Sequence, residues 1–201
     1  MSTLVGKPAP QFTAPAVLGS GEIVEQFDFA KETEGKYAWV VFYPLDFTFV
    51  CPSELIALDH RVEELKKRNA EVITVSIDSQ FTHNAWRNTA IKDGGIGPVG
   101  YTMVADLTHS ICQDYGVEVE GAGVALRGSF LIDKEGVVRH AVVNDLPLGR
   151  NIDEMIRMTD ALQFHEEHGE VCPAGWQPGK AGMQGSPEGV AAYLAENAES
   201  L

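Results

Sequence analysis

Residues 37–78 read Y-A-W-V-V-F-Y-P-L-D-F-T-F-V-C-P-S-E-L-I-A-L-D-H-R-V-E-E-L-K-K-R-N-A-E-V-I-T-V-S-I-D, and the changes of period inside this stretch decide the fold. Tyr37 to Tyr43 is an unbroken aromatic and β-branched run, the composition of a central strand buried on both faces. Pro44 ends it. From Cys51 onward Leu55, Leu58, Val62 and Leu65 recur every three or four residues, with Glu63, Glu64, Lys66 and Lys67 largely outside that stripe, which predicts an amphipathic helix. Glu71 to Asp78 returns to strand character. Strand, helix and strand in this order form the pattern of a right-handed βαβ crossover and make the domain α/β.

Outward from this unit, Phe81 to Lys92 predicts a second helix, closed by the Gly-rich segment D-G-G-I-G-P-V-G at 93–100. Tyr101 to Ala105 predicts a strand and His109 to Tyr115 a short helix. Ser129 to Ile132 and Val137 to Val143 flank Asp133-Lys134-Glu135-Gly136, which suits a hairpin turn with Gly in the left-handed position. Asn151 is placed to cap a helix with Ile152, Met155, Ile156 and Leu162 on one side. Beyond Gly169 the chain becomes rich in Gly, Pro and Gln and loses its apolar period, so residues 1–168 are expected to form the domain and 169–201 an extended arm. Ser186 and Pro187 begin a last short helix.

The 201 residues, 44% hydrophobic, suffice for an ordinary buried core. A net charge of -14 with no basic stripe argues against nucleic-acid partners, whose recognition rests on clustered Lys and Arg. The first residues, M-S-T-L-V-G-K-P-A-P-Q-F, lack the apolar run of a signal peptide, and no later segment is apolar enough to span a bilayer, which predicts a cytoplasmic protein without membrane partners. Three widely spaced cysteines, Cys51, Cys112 and Cys172, are too few for a disulfide scaffold; in a reducing compartment each is a buried small hydrophobe, a metal ligand or a redox group.

Cys51 stands at the seam between strand and helix. A thiol with a pKa of about 8.5 is mostly protonated at neutral pH, while the thiolate is the nucleophile. The first turn of a helix favours an anion through its unpaired N–H groups and the positive end of the macrodipole, and Pro52 needs no donor there. Position alone leaves a structural cysteine equally open. Thr48 by itself reads as a turn residue. Pro44, Thr48 and Cys51 together form a P-x-x-x-T-x-x-C loop, far more specific than any of its members.

This segment, F-Y-P-L-D-F-T-F-V-C-P-S-E, resembles the active-site segment of the typical 2-Cys peroxiredoxins, the thiol peroxidases that include bacterial alkyl hydroperoxide reductase catalytic subunits. The resemblance continues through V-A-L-R-G-S-F-L-I-D around Arg127, N-D-L-P-L-G-R ending at Arg150, and H-G-E-V-C-P-A-G-W around Cys172, and so covers nearly the whole chain. It implies a thioredoxin-like fold, a central mixed β-sheet flanked by helices. It implies reduction of hydrogen peroxide and small organic hydroperoxides to water and alcohols by Cys51, which becomes a sulfenic acid. Thr48 matches the hydroxyl that holds the peroxide, Arg127 the guanidinium that stabilises thiolate and developing charge, and Pro44 the ring that shields the site. Glu54 and Arg150 match the ion-paired groups that orient Arg127. A fixed donor set aimed at the leaving oxygen is what displacement on an O–O bond requires, and a planar, permanently charged Arg suits it; without the motif, Arg127 reads as a surface salt bridge.

A sulfenic acid condenses with a second thiol or is oxidised further. The position three residues after Cys51 is Glu54, so no C-x-x-C partner exists. Cys172, in the arm, is the better candidate, and the resemblance assigns it as the resolving cysteine of a neighbouring subunit. Cys112 matches no catalytic position and is read as core packing. His165, His168 and Cys172 invite a zinc reading, but H-E-E-H is one residue short of H-E-x-x-H, and Gly169 and Pro173 end the helix. No metal, haem or flavin cofactor is expected. Reducing equivalents then come from a protein dithiol; the resemblance implies thioredoxin or a flavoprotein disulfide reductase, and a homodimer assembled into a ring of five dimers. G-G-I-G at Gly94 to Gly97 is similar to the G-G-L-G that, with a C-terminal Tyr-Phe, marks members prone to overoxidation. Tyr193-Leu194 departs from that pattern, and intermediate sensitivity is expected. Two other functions are compatible with such a chain: a general disulfide oxidoreductase, disfavoured by Glu54, and a chaperone-like holdase of ring assemblies.

Overall fold

The computed structural model describes residues 3–201. It divides into two compact units, with the chain boundary between Ile152 and Asp153. The first begins with β1 (Thr13–Val17), β2 (Ile23–Asp28) and the short α1 (Phe29–Glu32). There follow β3 (Tyr37–Phe42), α2 (Cys51–Asp59), α3 (Val62–Lys67), β4 (Ala70–Ser76), α4 (Gln80–Arg87), β5 (Thr102–Ala105) and α5 (Ser110–Asp114). The two-residue strands β6 (Glu118–Val119) and β7 (Val124–Ala125) pair with each other, and the hairpin β8 (Arg127–Ile132) and β9 (Val138–Asn144) completes the unit.

Seven strands form one mixed sheet in the order β2-β1-β5-β4-β3-β8-β9. The βαβ expectation holds: β3 pairs parallel with β4, and β4 with β5, while β8 lies antiparallel on the other side of β3. Every residue of β3 is buried, as its unbroken apolar run requires of a central strand. Phe42 and Phe130 meet edge to face at 5.9 Å, with Tyr115 against both, so the neighbouring strands β3 and β8 share one aromatic cluster. The β8–β9 turn has Gly136 at φ 79, and Asp133 Oδ1 accepts from the backbone N–H of Glu135 and Val137, fixing the loop from within.

Three departures from the sequence reading have local causes. The stripe running from Leu55 to Leu65 is split into α2 and α3, because Arg61 N–H bonds back to Leu58 O and Asp59 turns its carboxylate to the N–H of Gly100. The break still buries Leu55, Leu58, Val62 and Leu65. The helix expected over 81–92 ends at Arg87: Asn88 Nδ2 and Thr89 Oγ1 bond the carbonyls of Asn84 and Ala85, and a separate 3₁₀ turn covers Ile91–Asp93. The strands β1 and β2 carry no clear alternation; Pro15 sits where their register shifts between Ala14 and Ala16, a bulge of the kind that tolerates proline.

The second unit contains α6 (Ile152–His168) apart from its first residue, and α7 (Pro187–Asn197). Gly169, at φ 69, ends α6. Ser186 caps α7 by accepting from the N–H of Gly189, with Pro187 in its first turn as expected. The segment between the helices is held by an isolated bridge of Val171 and Met183 and by the buried Trp176, whose ring packs on Phe164 at 4.8 Å.

Candidate active site

Cys51 is the first residue of α2, with Pro52 behind it, and its side chain is fully buried. Nine helical residues thus aim the positive end of their dipole at the sulfur. Two side chains donate to it. Thr48 Oγ1 lies 3.0 Å from Sγ and Arg127 Nη1 3.4 Å away. The Thr48 hydroxyl also lies 2.8 Å from the carbonyl of Leu45, so its single hydrogen is shared between carbonyl and sulfur.

Arg127 opens β8, and its buried guanidinium reaches Cys51 because two further contacts hold it. Nε donates to Leu146 O at 2.7 Å, Nη1 donates to Glu54 Oε2 at 2.7 Å, and Glu54 stands three residues into α2 from Cys51. Burial by itself would lower the Arg127 pKa, but its bond to Cys51 and the charges of Cys51 and Glu54 outweigh that and raise it. Glu54 is gripped a second time by Arg150, whose Nε and Nη2 reach both carboxylate oxygens at 2.8 and 3.0 Å while its backbone N–H donates to Oε1 at 2.8 Å. Burial pushes the Glu54 carboxyl up; the bonds and charge of Arg150, then the charge of Arg127, bring it below its ordinary value. Arg150 Nη1 in turn donates to Gly128 O and Ser129 Oγ on β8, closing a loop of contacts back to the strand that carries Arg127.

Five of the residues singled out in the sequence, Thr48, Cys51, Glu54, Arg127 and Arg150, therefore form one connected network. Pro44 is buried just past the end of β3. Cys172 belongs to the second unit, where it is half-buried and its thiol donates to Ala161 O at 3.3 Å; burial raises its pKa against the opposing pull of the Arg157 charge. All three cysteines are free thiols. Cys112 is 1% exposed within the main apolar cluster, as read from the sequence. His165 and His168 turn Nδ1 to the carbonyls of Glu170 and Phe164, and with Cys172 they form none of the metal-capable donor groups among the described residues.

Sequence reasoning passed over a second network beneath the loop. Asp46, in the loop between Pro44 and Thr48, accepts from Tyr43 Oη at 2.7 Å through Oδ1 and meets His83 Nδ1 at 2.8 Å through Oδ2. His83 Nε2 faces Val104 O at 3.1 Å, so both ring nitrogens of the buried His83 meet oxygen atoms. The Asp46 N–H donates to Asp78 Oδ2 at the end of β4. The loop bearing Thr48 is thereby tied to β4, α4 and β5. Asp46 and His83 lie 37 positions apart with no motif linking them, so the sequence offered no signal for the pair. The carbonyl of Leu146 likewise had no side-chain signature to find.

Residues 5–141 match the AhpC/TSA family, and residues 161–196, which include Cys172, match the C-terminal domain of 1-Cys peroxiredoxin. The chain is 57% identical to alkyl hydroperoxide reductase C of Helicobacter pylori over 98% of this chain and 100% of that protein. It is 53% identical to peroxiredoxin-2 of Bos taurus over 87% and 86%. Among solved structures, the reduced 2-Cys peroxiredoxin of Plasmodium vivax superposes with a TM-score of 0.93 at 48% identity, covering 96% of this chain and 100% of that one. A Plasmodium yoelii relative, Prx1a, modified at its N-terminus and forming an artifactual octamer, gives a TM-score of 0.76 at 49% identity over 85% and 97%. The mixed sheet with its flanking helices is thus the thioredoxin-like peroxiredoxin fold.

Proposed function

The chain belongs to the AhpC/TSA family and is a thiol peroxidase of the 2-Cys peroxiredoxin type with an antioxidant function, and we propose that Cys51 carries its chemistry. The Cys51 thiolate attacks one oxygen of the hydroperoxide, the O–O bond breaks, and the departing alkoxide or hydroxide takes up a proton and leaves as alcohol or water. Cys51 becomes a sulfenic acid. The observation that carries this reading is the convergence of Thr48 Oγ1 and Arg127 Nη1 on one sulfur at a helix N-terminus. Donors already fixed there stabilise the thiolate and the charge that grows on the leaving oxygen, with no reorganisation needed at the moment of reaction. Pro44 keeps bulk water from the sulfur, and Glu54 and Arg150 hold Arg127 in position.

Cys172, on the arm formed by residues 169–201, then attacks the sulfenic sulfur of a neighbouring subunit, releasing water and forming a disulfide. A protein dithiol returns two electrons and two protons and is itself oxidised. The family likeness favours thioredoxin or a flavoprotein disulfide reductase in this role, in the cytoplasm, where free thiols persist. It also favours a homodimer built into a ring of five dimers. Phe47, Phe49 and Phe81, which are 51, 96 and 65% exposed, offer apolar area of the kind a subunit interface covers.

The test is non-reducing electrophoresis after one equivalent of peroxide. A covalent dimer is expected in the wild type and in neither Cys51→Ser nor Cys172→Ser. A dimer that persists in either variant overturns the pairing, and peroxide consumption by Cys51→Ser at the wild-type rate overturns the assignment of the nucleophile.

A further inference from the structure

Away from the peroxide site, three donor side chains of different chemistry converge at the end of α5. His109 precedes this helix, Cys112 lies within it, and Glu118 is on β6; the ligand atoms of the three lie within 4.8 Å of one another. His109 Nδ1 and Glu118 Oε1 are 2.7 Å apart and form the mouth of the cluster, with their side chains 29 and 25% exposed. Cys112 forms its floor and donates its thiol proton to His109 O at 3.2 Å.

From this geometry we infer that His109, Cys112 and Glu118 bind a thiophilic divalent cation, of which Zn²⁺ is the natural probe. One nitrogen, one sulfur and one carboxylate oxygen are the ligand types zinc takes, at about 2.0, 2.3 and 2.1 Å, and a tetrahedral set places neighbouring ligand atoms roughly 3.3–3.6 Å apart. To reach that set His109 Nδ1 and Glu118 Oε1, now 2.7 Å apart, separate by roughly 0.6–0.9 Å while Cys112 Sγ, within 4.8 Å of both, closes on them by up to about 1.5 Å. The fourth position opens to solvent between His109 and Glu118, where a water completes the shell. The charge balance also favours a cation. Asp106 lies behind Cys112, accepting from the backbone N–H of Ile111 and Cys112, so the sulfur sits between the carboxylates of Asp106 and Glu118. A thiolate is costly there until a cation arrives; when it binds, the thiol proton and the His109 Nδ1 proton pass to solvent, leaving the ring neutral with its proton on Nε2, and the metal replaces the contact between His109 and Glu118.

The experiment uses the full chain with Cys51→Ser and Cys172→Ser, which leaves Cys112 as the single thiol, titrated with Co²⁺ as a spectroscopic substitute and then with Zn²⁺. One Co²⁺ per chain is expected, with a thiolate-to-metal charge-transfer band that Zn²⁺ abolishes. Cys112→Ser removes the band. Glu118→Gln, at a partly exposed position where circular dichroism is expected to show the fold retained, weakens binding at least tenfold. Absence of the charge-transfer band overturns the site, as does a band of unchanged affinity in both Glu118→Gln and His109→Gln. Cobalt held at His165 and His168 instead gives no charge-transfer band in this background and counts as the same refutation.

Discussion

Glu54 and Arg150 are joined by three hydrogen bonds, two between side chains and one from the Arg150 backbone N–H, all between 2.8 and 3.0 Å. A contact of this multiplicity fixes the carboxylate plane, and the plane determines where Arg127 Nη1 lies. Replacing Arg150 with Met leaves a buried carboxylate short of one cation, a change that typically costs about 3–5 kcal/mol. The expected result is a lower thermal midpoint together with a fall in kcat/KM for hydrogen peroxide. Loss of stability with kcat/KM intact would show that Arg150 only braces the fold.

The depressed pKa of Glu54 makes an acid-limb prediction. A carboxyl whose folded pKa lies below its unfolded value of about 4.3 adds stability that is fully present above 4.3 and is lost as pH falls through the folded value. The difference in unfolding free energy between wild type and Glu54→Gln is therefore widest near about pH 7 and narrows in acid below about 4.3. Denaturant melts at a series of pH values check this; a gap that does not change with pH would contradict it.

Thr48 presents one hydrogen to two acceptors, Leu45 O and Cys51 Sγ. A hydrogen bond to a charged group contributes about 1.5–3 kcal/mol, so Thr48→Val should lower kcat/KM by roughly 10- to 100-fold. Thr48→Ser keeps the hydroxyl and should stay close to wild type. Stopped-flow peroxide kinetics on both variants separates hydroxyl chemistry from loop packing, since a Ser variant as slow as the Val variant would implicate the lost methyl group.

Cys112 should resist alkylation in the native protein. It is 1% exposed and its thiol is pushed up to about 12, so both access and thiolate fraction are small. Mass spectrometry of the metal-free protein after brief iodoacetamide treatment near neutral pH should find label at the half-buried Cys172 and none at Cys112 until denaturant is added. Labelling of Cys112 at the rate of Cys172 would refute this.

Leu194 on α7 is 42% exposed and stands where a Phe would complete the Tyr-Phe pattern. An aromatic ring there adds apolar area and specific ring contacts. In a peroxide titration followed by intact mass, Leu194→Phe should reach half-conversion of Cys51 to sulfinic acid at a lower peroxide concentration than the wild type. An unchanged midpoint would mean that this position does not govern overoxidation.

The parts of the fold legible in the sequence were those with a strong period. The run Tyr37 to Phe42, the return to strand at Ala70 to Ser76 and the hairpin around Gly136 each stand in the structure near their expected limits. The strands β1 and β2 were not legible, because their side chains are partly exposed on both faces and β1 contains Pro15. Helix ends depended on side chains bonding back to carbonyls, as Thr89 does to Ala85, a competition that periodicity does not register. The site divides the same way. Its charged and nucleophilic members were visible as residue types in a motif, whereas the backbone anchors at Leu146 and Gly128 and the brace from His83 to Asp46 exist only after the strands are assembled.

Cys51 has no exposed surface. A disulfide requires the two Cα atoms to come within about 7 Å, and a sulfur enclosed on all sides cannot be met by another chain's thiol while its helix keeps its opening coil. If Cys51 is resolved by Cys172 of a neighbouring subunit as proposed, each catalytic round dismantles and rebuilds the start of α2. Throughput and robustness are in opposition at this one place: a substitution that makes the start of α2 harder to unwind would protect the protein from heat and slow its return to the reduced form.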